Sequence, residues 1–246
     1  MKILIVDIET SPHLSWHFGR WKQNIPRKHT VKESRMLCFA AKWYGQKKVH
    51  FKSAWTHGQE PMLKSLWDLM DEADVVMGYN SKKFDVKRIN SEFIRLGWEQ
   101  PSPYEQIDLL LQVRKHFALS SNKLDDVLTE LGLENKQSNS GFSLWMDVMA
   151  GVRSARTEMK LYNIQDVKVT EDLYENIKGW ISPHPNWGLF INDDDPTCMN
   201  CKSKNVVKHK VRRTKVRVYQ QYHCNDCGAY ARGRKSLENP NEGVLT

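Results

Sequence analysis

Asp7 and Glu9 stand two positions apart at the end of the apolar, β-branched run Ile3-Leu4-Ile5-Val6. Side chains of a strand alternate between its faces, so both carboxylates project to one side and Ile8 to the other. Two carboxylates a strand step apart make half of a divalent-cation site. Asp85 comes after a second apolar run, Val75-Val76-Met77-Gly78, and the segment Tyr79-Asn80-Ser81-Lys82-Lys83-Phe84. An Asp at that helix start also has a plain structural reading as a cap or a dipole partner. Asp166 lies four residues after Tyr162 inside a long helical pattern, so the two share a face. If the four carboxylates converge, their repulsion in a poorly solvated pocket demands cations. Oxygen-only donors select Mg2+ or Mn2+, and two such ions about 3.5–4 Å apart stabilise both the attacking and the leaving oxygen of a phosphodiester displacement.

A second constellation lies near the C-terminus. Cys198-x-x-Cys201 and Cys224-x-x-Cys227 are separated by 22 residues. Two such pairs make a four-thiolate Zn2+ site, closed and therefore structural. The insert from Val206 to Tyr222 reads as a hairpin in which Lys208, Lys210, Arg212 and Arg213 alternate in part with valines, with Tyr219, Tyr222 and Tyr230 nearby. Residues 1–195 hold 26 Lys+Arg and 26 Asp+Glu, whereas residues 196–246 hold 11 and 3, so the formal +8 of the chain comes entirely from this tail. With Zn2+ on four thiolates the tail keeps a charge of about +6. Basic residues interleaved with aromatics suit a nucleic acid, through counterion release and base stacking. An acidic protein surface is the alternative. Lys208, Lys210, Arg212 and Arg213 are the candidates for contact with substrate.

The elements that must position these groups are read from periodicity. Strands are expected at 2–7, 36–44, 48–54, 75–78 and 106–111, and helices at 61–73, 85–96, 123–132 and 157–178. Strands paired first as a meander and then alternating with helices indicate an α/β fold, a mixed sheet flanked by helices. The last helical pattern ends at Gly179-Trp180-Ile181, and beyond it Ser182-Pro183-His184-Pro185 and Asn192-Asp193-Asp194-Asp195-Pro196 break the chain's regularity. The expected organisation is a domain over 1–182, a linker over 183–196 and a small β-rich module over 197–246. The triplet Asp193, Asp194 and Asp195 reads as a solvated turn. Asp108 either supports the carboxylate site, caps a helix or is a solvated surface acid. The segment 13–35 mixes Trp16 and Trp21 with Arg20, Arg27, Lys28, His29 and Lys32; these either guide a single strand or pack under a loop.

Composition narrows the classes. The chain is 27% charged and 40% hydrophobic, with a mean hydropathy of −0.63. No apolar run approaches the roughly 18 residues of a membrane span, and the opening apolar run is too short for a signal peptide. No membrane partner and a cytoplasmic location are therefore expected, in a reducing compartment that keeps the cysteines available as ligands. No Ser or Cys stands in a nucleophile motif with a histidine, which argues against a hydrolase of that type.

Asp7-Ile8-Glu9-Thr10, then Asn80-x-x-x-Phe84-Asp85, then Tyr162-x-x-x-Asp166 resemble, in order, the three motifs of the tyrosine-bearing branch of the DEDD exonuclease superfamily. Ile107-Asp108-Leu109-Leu110, Lys123-Leu124-Asp125-Asp126-Val127 and Leu131-Gly132 resemble the region between the second and third motifs. The match covers roughly residues 1–180. It is similar to the proofreading domains of family B DNA polymerases and to stand-alone exonucleases. The resemblance implies a ribonuclease H-like fold and removal of nucleoside 5′-monophosphates from a 3′ end, with two Mg2+ or Mn2+ ions held by Asp7, Glu9, Asp85 and Asp166 and a structural Zn2+ in a zinc ribbon. It gives Asp7 the bridging position, Glu9 and Asp166 the ion that activates water, and Asp85 the second ion. Tyr162 orients the water; the sister branch has a histidine where this chain has Leu161. Thr10 and Asn80 fall near the substrate strand and Phe84 near the core. Single-stranded or frayed DNA is the expected substrate and a replication or repair protein the expected partner, in a bacterial or phage-infected cell. A 3′→5′ exoribonuclease and a non-catalytic nucleic-acid-binding accessory protein are the alternatives.

Overall fold

In the computed structural model, the described residues are 1–134, 139–192 and 195–237; Asp193 and Asp194 of the acidic triplet lie outside them. The chain divides into two units, Lys2–Leu173 and a second made of Met1 with Tyr174–Thr246.

The larger unit begins with β1 (Ile3–Thr10), a short pair β2 (Leu14–Ser15) and β3 (Thr30–Lys32), then β4 (Met36–Trp43) and β5 (Val49–Ser53). Helices α1 (Ala54–His57) and α2 (Gln59–Asp71) lead to β6 (Val75–Gly78), α3 (Asp85–Arg95) and β7 (Glu105–Asp108). Next come α4 (Leu109–His116), α5 (Leu124–Glu130), α6 (Phe142–Ala150) and α7 (Arg153–Ile177). The main sheet has the order β5-β4-β1-β6-β7, with β1 central. β5, β4 and β1 are antiparallel neighbours, while β1, β6 and β7 run parallel, as a mixed sheet requires.

Both faces of β1 are covered, for different reasons. Leu4, Val6 and Ile8 join a core with Met62, Leu63, Leu66 and Met70 of α2 and Ile89 and Phe93 of α3, apolar positions that recur every three or four residues along each helix. On the other face Cys38 of β4 packs with Leu144 and Val148 of α6 and Ala155 and Met159 of α7. That second layer carries the polar face of β1.

Several elements depart from expectation, among them the short pair β2 and β3 and the helices α1 and α4. The strand expected at 106–111 ends at Asp108, because that side chain accepts a hydrogen bond from Leu110 N and starts α4 as its N-cap. A short apolar run reads equally as strand or helix, and the cap decides. Helix α6 likewise has no counterpart among the expected elements.

α7 is pinned to the sheet by a largely buried ion pair between Lys42 of β4 and Glu171, whose other oxygen accepts from Gly45 N at 2.8 Å. Removing Glu171 leaves the buried Lys42 ammonium with only the more distant attraction of Asp172, so Glu171→Ala is expected to cost about 2 kcal/mol of unfolding free energy. Urea denaturation against the parent protein measures it.

In the smaller unit, Tyr174 is fully buried and its hydroxyl lies 2.8 Å from His184 Nε2. Burial pushes the His184 imidazole pKa down, with a hydrogen bond to the Pro185 carbonyl opposing. Asn200 Nδ2 donates to the carbonyls of Lys178 and Ile181, and Trp187 N donates to Met199 O. The segment 183–196 thus supplies buried side chains to this unit. A Cβ on Gly179 would lie 1.8 Å from Cys227 O, so that approach tolerates glycine alone. Strands β8 (Val206–Arg213), β9 (Val218–Cys224) and β10 (Tyr230–Ser236) form an antiparallel sheet in the order β10-β9-β8, one strand more than the expected hairpin. No helix among the described residues is long and apolar enough to cross a membrane.

Candidate active site

Oxygen atoms of Asp7, Glu9 and Asp166 lie within 4.8 Å of one another. The strand lengths explain how. The pairing of β1 with β6 runs only to Ile5 opposite Met77, while β1 continues to Thr10 along β4, with Asp7 opposite Ala40 and Glu9 opposite Cys38. The carboxylates therefore stand on a stretch of β1 that has lost its parallel neighbour, and α7 delivers Asp166 beside them. Three like charges this close fit a divalent cation and are poorly accommodated without one.

Two residues not read from the sequence orient these groups. Asn163, fully buried on α7, donates from Nδ2 to Asp7 Oδ2 at 2.6 Å and to Asp7 O at 3.2 Å. Trp145 on α6 donates its indole N–H to Glu9 Oε2 at 3.2 Å. Asn163 precedes Asp166 by three residues, so helical periodicity already puts it on the same face; nothing local links Trp145 to a strand 136 residues away. Groups that orient metal-binding side chains are typically worth about 10–100-fold in activity or metal affinity. Asn163→Ala is accordingly expected to lower kcat by that factor with the fold intact, read by steady-state kinetics alongside circular dichroism.

Asp85 is buried at the start of α3, and its Oδ1 accepts from Ile8 N, the amide between Asp7 and Glu9, at 3.2 Å. It lies next to the three-carboxylate group without being part of it. Asp108 is buried, so surface solvation is not its role; besides capping α4 it accepts from Asn80 N at 2.9 Å and Lys82 N at 3.1 Å. It thereby fixes the turn that launches α3, in which Asn80 has a φ of +63°, a conformation Asn tolerates better than most residues. The same turn packs closely, since a Cβ on Gly78 would meet Ser81 Cβ at 2.8 Å and Val6 O at 3.0 Å.

Tyr162 is half-buried one helical turn before Asp166, and Thr10 is half-buried at the register shift that comes after Glu9. Phe84, expected near the core, is 38% exposed, because it precedes α3 and turns outward beneath the Arg88 guanidinium. Trp16 and Trp21 are 78% and 85% exposed, so packing under a loop is not what these rings do. Asp125 and Asp126 are exposed in the first turn of α5. Cys38 lies beneath the site, where burial and then the charges of Glu9 and Asp7 push its thiol pKa well up. It is a small core residue rather than a nucleophile.

In the smaller unit the four Sγ atoms of Cys198, Cys201, Cys224 and Cys227 gather within 4.8 Å, with Cys198–Cys227 and Cys201–Cys224 at 3.6 Å. A tetrahedral zinc site with Zn–S of about 2.3 Å has S···S edges of about 3.8 Å, whereas a disulfide is about 2.05 Å long. The donor set therefore fits Zn2+ and no disulfide. Each pair is followed by a left-handed residue, Lys202 (φ +61°) and Gly228 (φ +75°), which closes a tight turn around the sulfurs. Burial raises Cys201 to about 11 and also raises Cys227; for Cys224 burial is opposed by hydrogen bonds from the Cys227 and Asp226 backbone and from the Cys201 and Cys227 thiols, which together lower it. A bound dication would shift all four toward thiolate.

The basic candidates do not form one face. Lys208 lies opposite Tyr222 and Arg213 opposite Val218, whereas Arg212 lies opposite Tyr219 on the other side of the sheet. A bulge between Lys208 and Val211 sets both His209 and Lys210 against β9, and Lys210 O accepts from Gln220 Nε2.

The sequence model of the RNase H superfamily matches residues 29–178. That span contains Asp85, Tyr162 and Asp166 and begins after Asp7 and Glu9. Among solved structures, the family B DNA polymerase from the hyperthermophilic archaeon Pyrobaculum calidifontis is similar, with a TM-score of 0.52 and 17% identity over 72% of this chain and 24% of that one. The likeness is one of fold, and this chain spans about a quarter of the polymerase's length. No curated protein matches the chain.

Proposed function

The chain belongs to the RNase H superfamily, and from that premise we propose that it is a metal-dependent 3′→5′ exonuclease acting on single-stranded or frayed DNA. The observation that carries this reading is the meeting of Asp7, Glu9 and Asp166 at one point. Those three would hold Mg2+ or Mn2+, with Asp85 reaching a second ion directly or through water. When bound, the ions supply a lowered water pKa and charge stabilisation for an in-line displacement at phosphorus. The chain's own residues do the rest. Asn163 and Trp145 fix the Asp7 and Glu9 carboxylates, Tyr162 orients the attacking water through its hydroxyl, and Thr10 and Asn80 contact the terminal nucleotide. Nucleoside 5′-monophosphates leave.

In this reading residues 1–182 are the nuclease domain, 183–196 connect, and 197–246 are a zinc ribbon that tethers the strand through Lys208, Lys210, Arg212 and Arg213. The setting is cytoplasmic, beside a replication or repair protein. The test is digestion of matched 5′-labelled DNA and RNA oligonucleotides with Mg2+ or Mn2+, resolved on a sequencing gel. A ladder shortening from the 3′ end is expected, faster on DNA. A faster RNA ladder transfers the reading to an exoribonuclease, and intact strands with binding retained leave an accessory protein.

A further inference from the structure

The ribbon sheet has two chemically different faces. Residues directly opposite across a strand pair share a face. Val206, Lys208 and Tyr222 are linked by register to Cys224 and Ala231, the side on which the zinc cysteines pack with Ala229. The other side carries Tyr230 opposite His223 and Arg232 opposite Gln221 on β10 and β9, with Arg212 opposite Tyr219 on β8 and β9. Along β10 the exposed residues Tyr230 and Arg232 alternate with the more covered Ala231 and Gly233, so this second side faces solvent.

On that side three rings from three strands form one patch. The His223–Tyr230 centroids are 4.7 Å apart, His209–Tyr230 5.3 Å and His209–His223 6.3 Å. Tyr230 is 52% exposed although it contacts two other rings. Further along the same face the Arg232 guanidinium lies 4.2 Å above the Tyr219 ring. Aromatic surface interrupted by guanidinium groups, on a unit of strong positive charge, matches a chain of flat π-systems joined by anions.

We propose that this face, from His209, His223 and Tyr230 to Arg232 and Tyr219, is a stacking platform for unpaired bases of single-stranded DNA. It rests on the tethering role proposed for the ribbon and adds the recognition of bases, so that the ribbon discriminates single strands from duplex. A duplex hides its base faces and offers only phosphates. An acidic peptide would use the arginines and leave the three-ring patch unoccupied.

The experiment uses the full-length chain carrying Asp7→Ala, so that the oligonucleotides stay intact, and fluorescence anisotropy with three labelled probes: a single-stranded oligothymidylate, the same length of abasic strand, and a blunt duplex. Tyr230→Ala is expected to weaken the single strand by roughly 10-fold and the abasic strand and duplex by less than about 2-fold, with Tyr230→Trp restoring affinity. His209→Ala, at an independent exposed position, is expected to act in the same direction, and unchanged zinc content reports an intact ribbon. Equal losses on all three probes would overturn the platform. So would unchanged binding of Tyr230→Ala while replacement of Lys208, Lys210, Arg212 and Arg213 by Gln weakens every probe, an outcome that retains a purely electrostatic tether. If neither set of changes alters binding, the tether itself is wrong.

Discussion

Asp7→Ala is expected to abolish strand shortening, by more than ~10³-fold, since even one preorganised electrostatic group in an active site is worth about 10²–10³. Its carboxylate meets both Glu9 and Asp166 and receives Asn163. The loss should have a second signature that needs no turnover. On the proposed reading Mn2+ would bind the folded state alone, and at about 100 times its dissociation constant would add about 2.7 kcal/mol of stability. For a chain of this size that corresponds to a rise in Tm of roughly 5–11 °C. Asp7→Ala removes a cation ligand and one of the three repelling charges, so its Tm should be nearly independent of Mn2+. Differential scanning calorimetry with and without Mn2+, run beside the gel assay, checks both. An unchanged Mn2+ shift in the variant, or full metal-dependent activity, places the cation elsewhere.

Replacing Lys208, Lys210, Arg212 and Arg213 together by Gln is expected to give the second large effect. The four lie on both sides of the sheet, so a strand following one side meets about two of them; each phosphate neutralised on a single strand contributes about 0.7 to the slope of log affinity against log salt, so the loss flattens it by about 1.4 and weakens binding by roughly 10–10²-fold at 0.1 M salt. All four stand on β8, exposed on one side of the sheet or the other, so their removal disturbs no core. Hydrolysis at saturating substrate should survive, with KM raised and kcat close to the parent value. Loss of zinc should produce the same flattening by another route. Binding of a structural zinc contributes about 10–16 kcal/mol to folding of small zinc modules, so Cys224→Ser should release the metal and unfold the sheet that carries these cations. Anisotropy titrations from 50 to 200 mM salt decide it, and an unaltered slope in either variant removes nucleic acid from the ribbon.

Much of the site was legible in the chain because its signals are local. The two-residue period of a strand put Asp7 and Glu9 on one side and Ile8 in the core opposite, and the structure has them there. Helical spacing put Tyr162 and Asp166 on one face, and would have added Asn163. Thiolate spacing alone assembled the four cysteines, since two tight turns need no distant partner. Tertiary structure decided every relation between elements far apart in sequence. Ile107-Asp108-Leu109-Leu110 is apolar enough for strand or helix, and the bonds from Asn80, Lys82 and Leu110 to Asp108 settle where one ends and the other begins. Trp145 reaches Glu9 only because α6 packs on the Cys38 face of the sheet. Asp85 turns its carboxylate to the Ile8 amide, a partner visible only once α3 lies against β1. Lys208 and Arg212 face opposite sides of the sheet because of a bulge that no period-2 pattern contains. Residue types and local periodicity set which chemistry the chain can offer; non-local hydrogen bonds and packing, absent from any short window of sequence, set which groups meet.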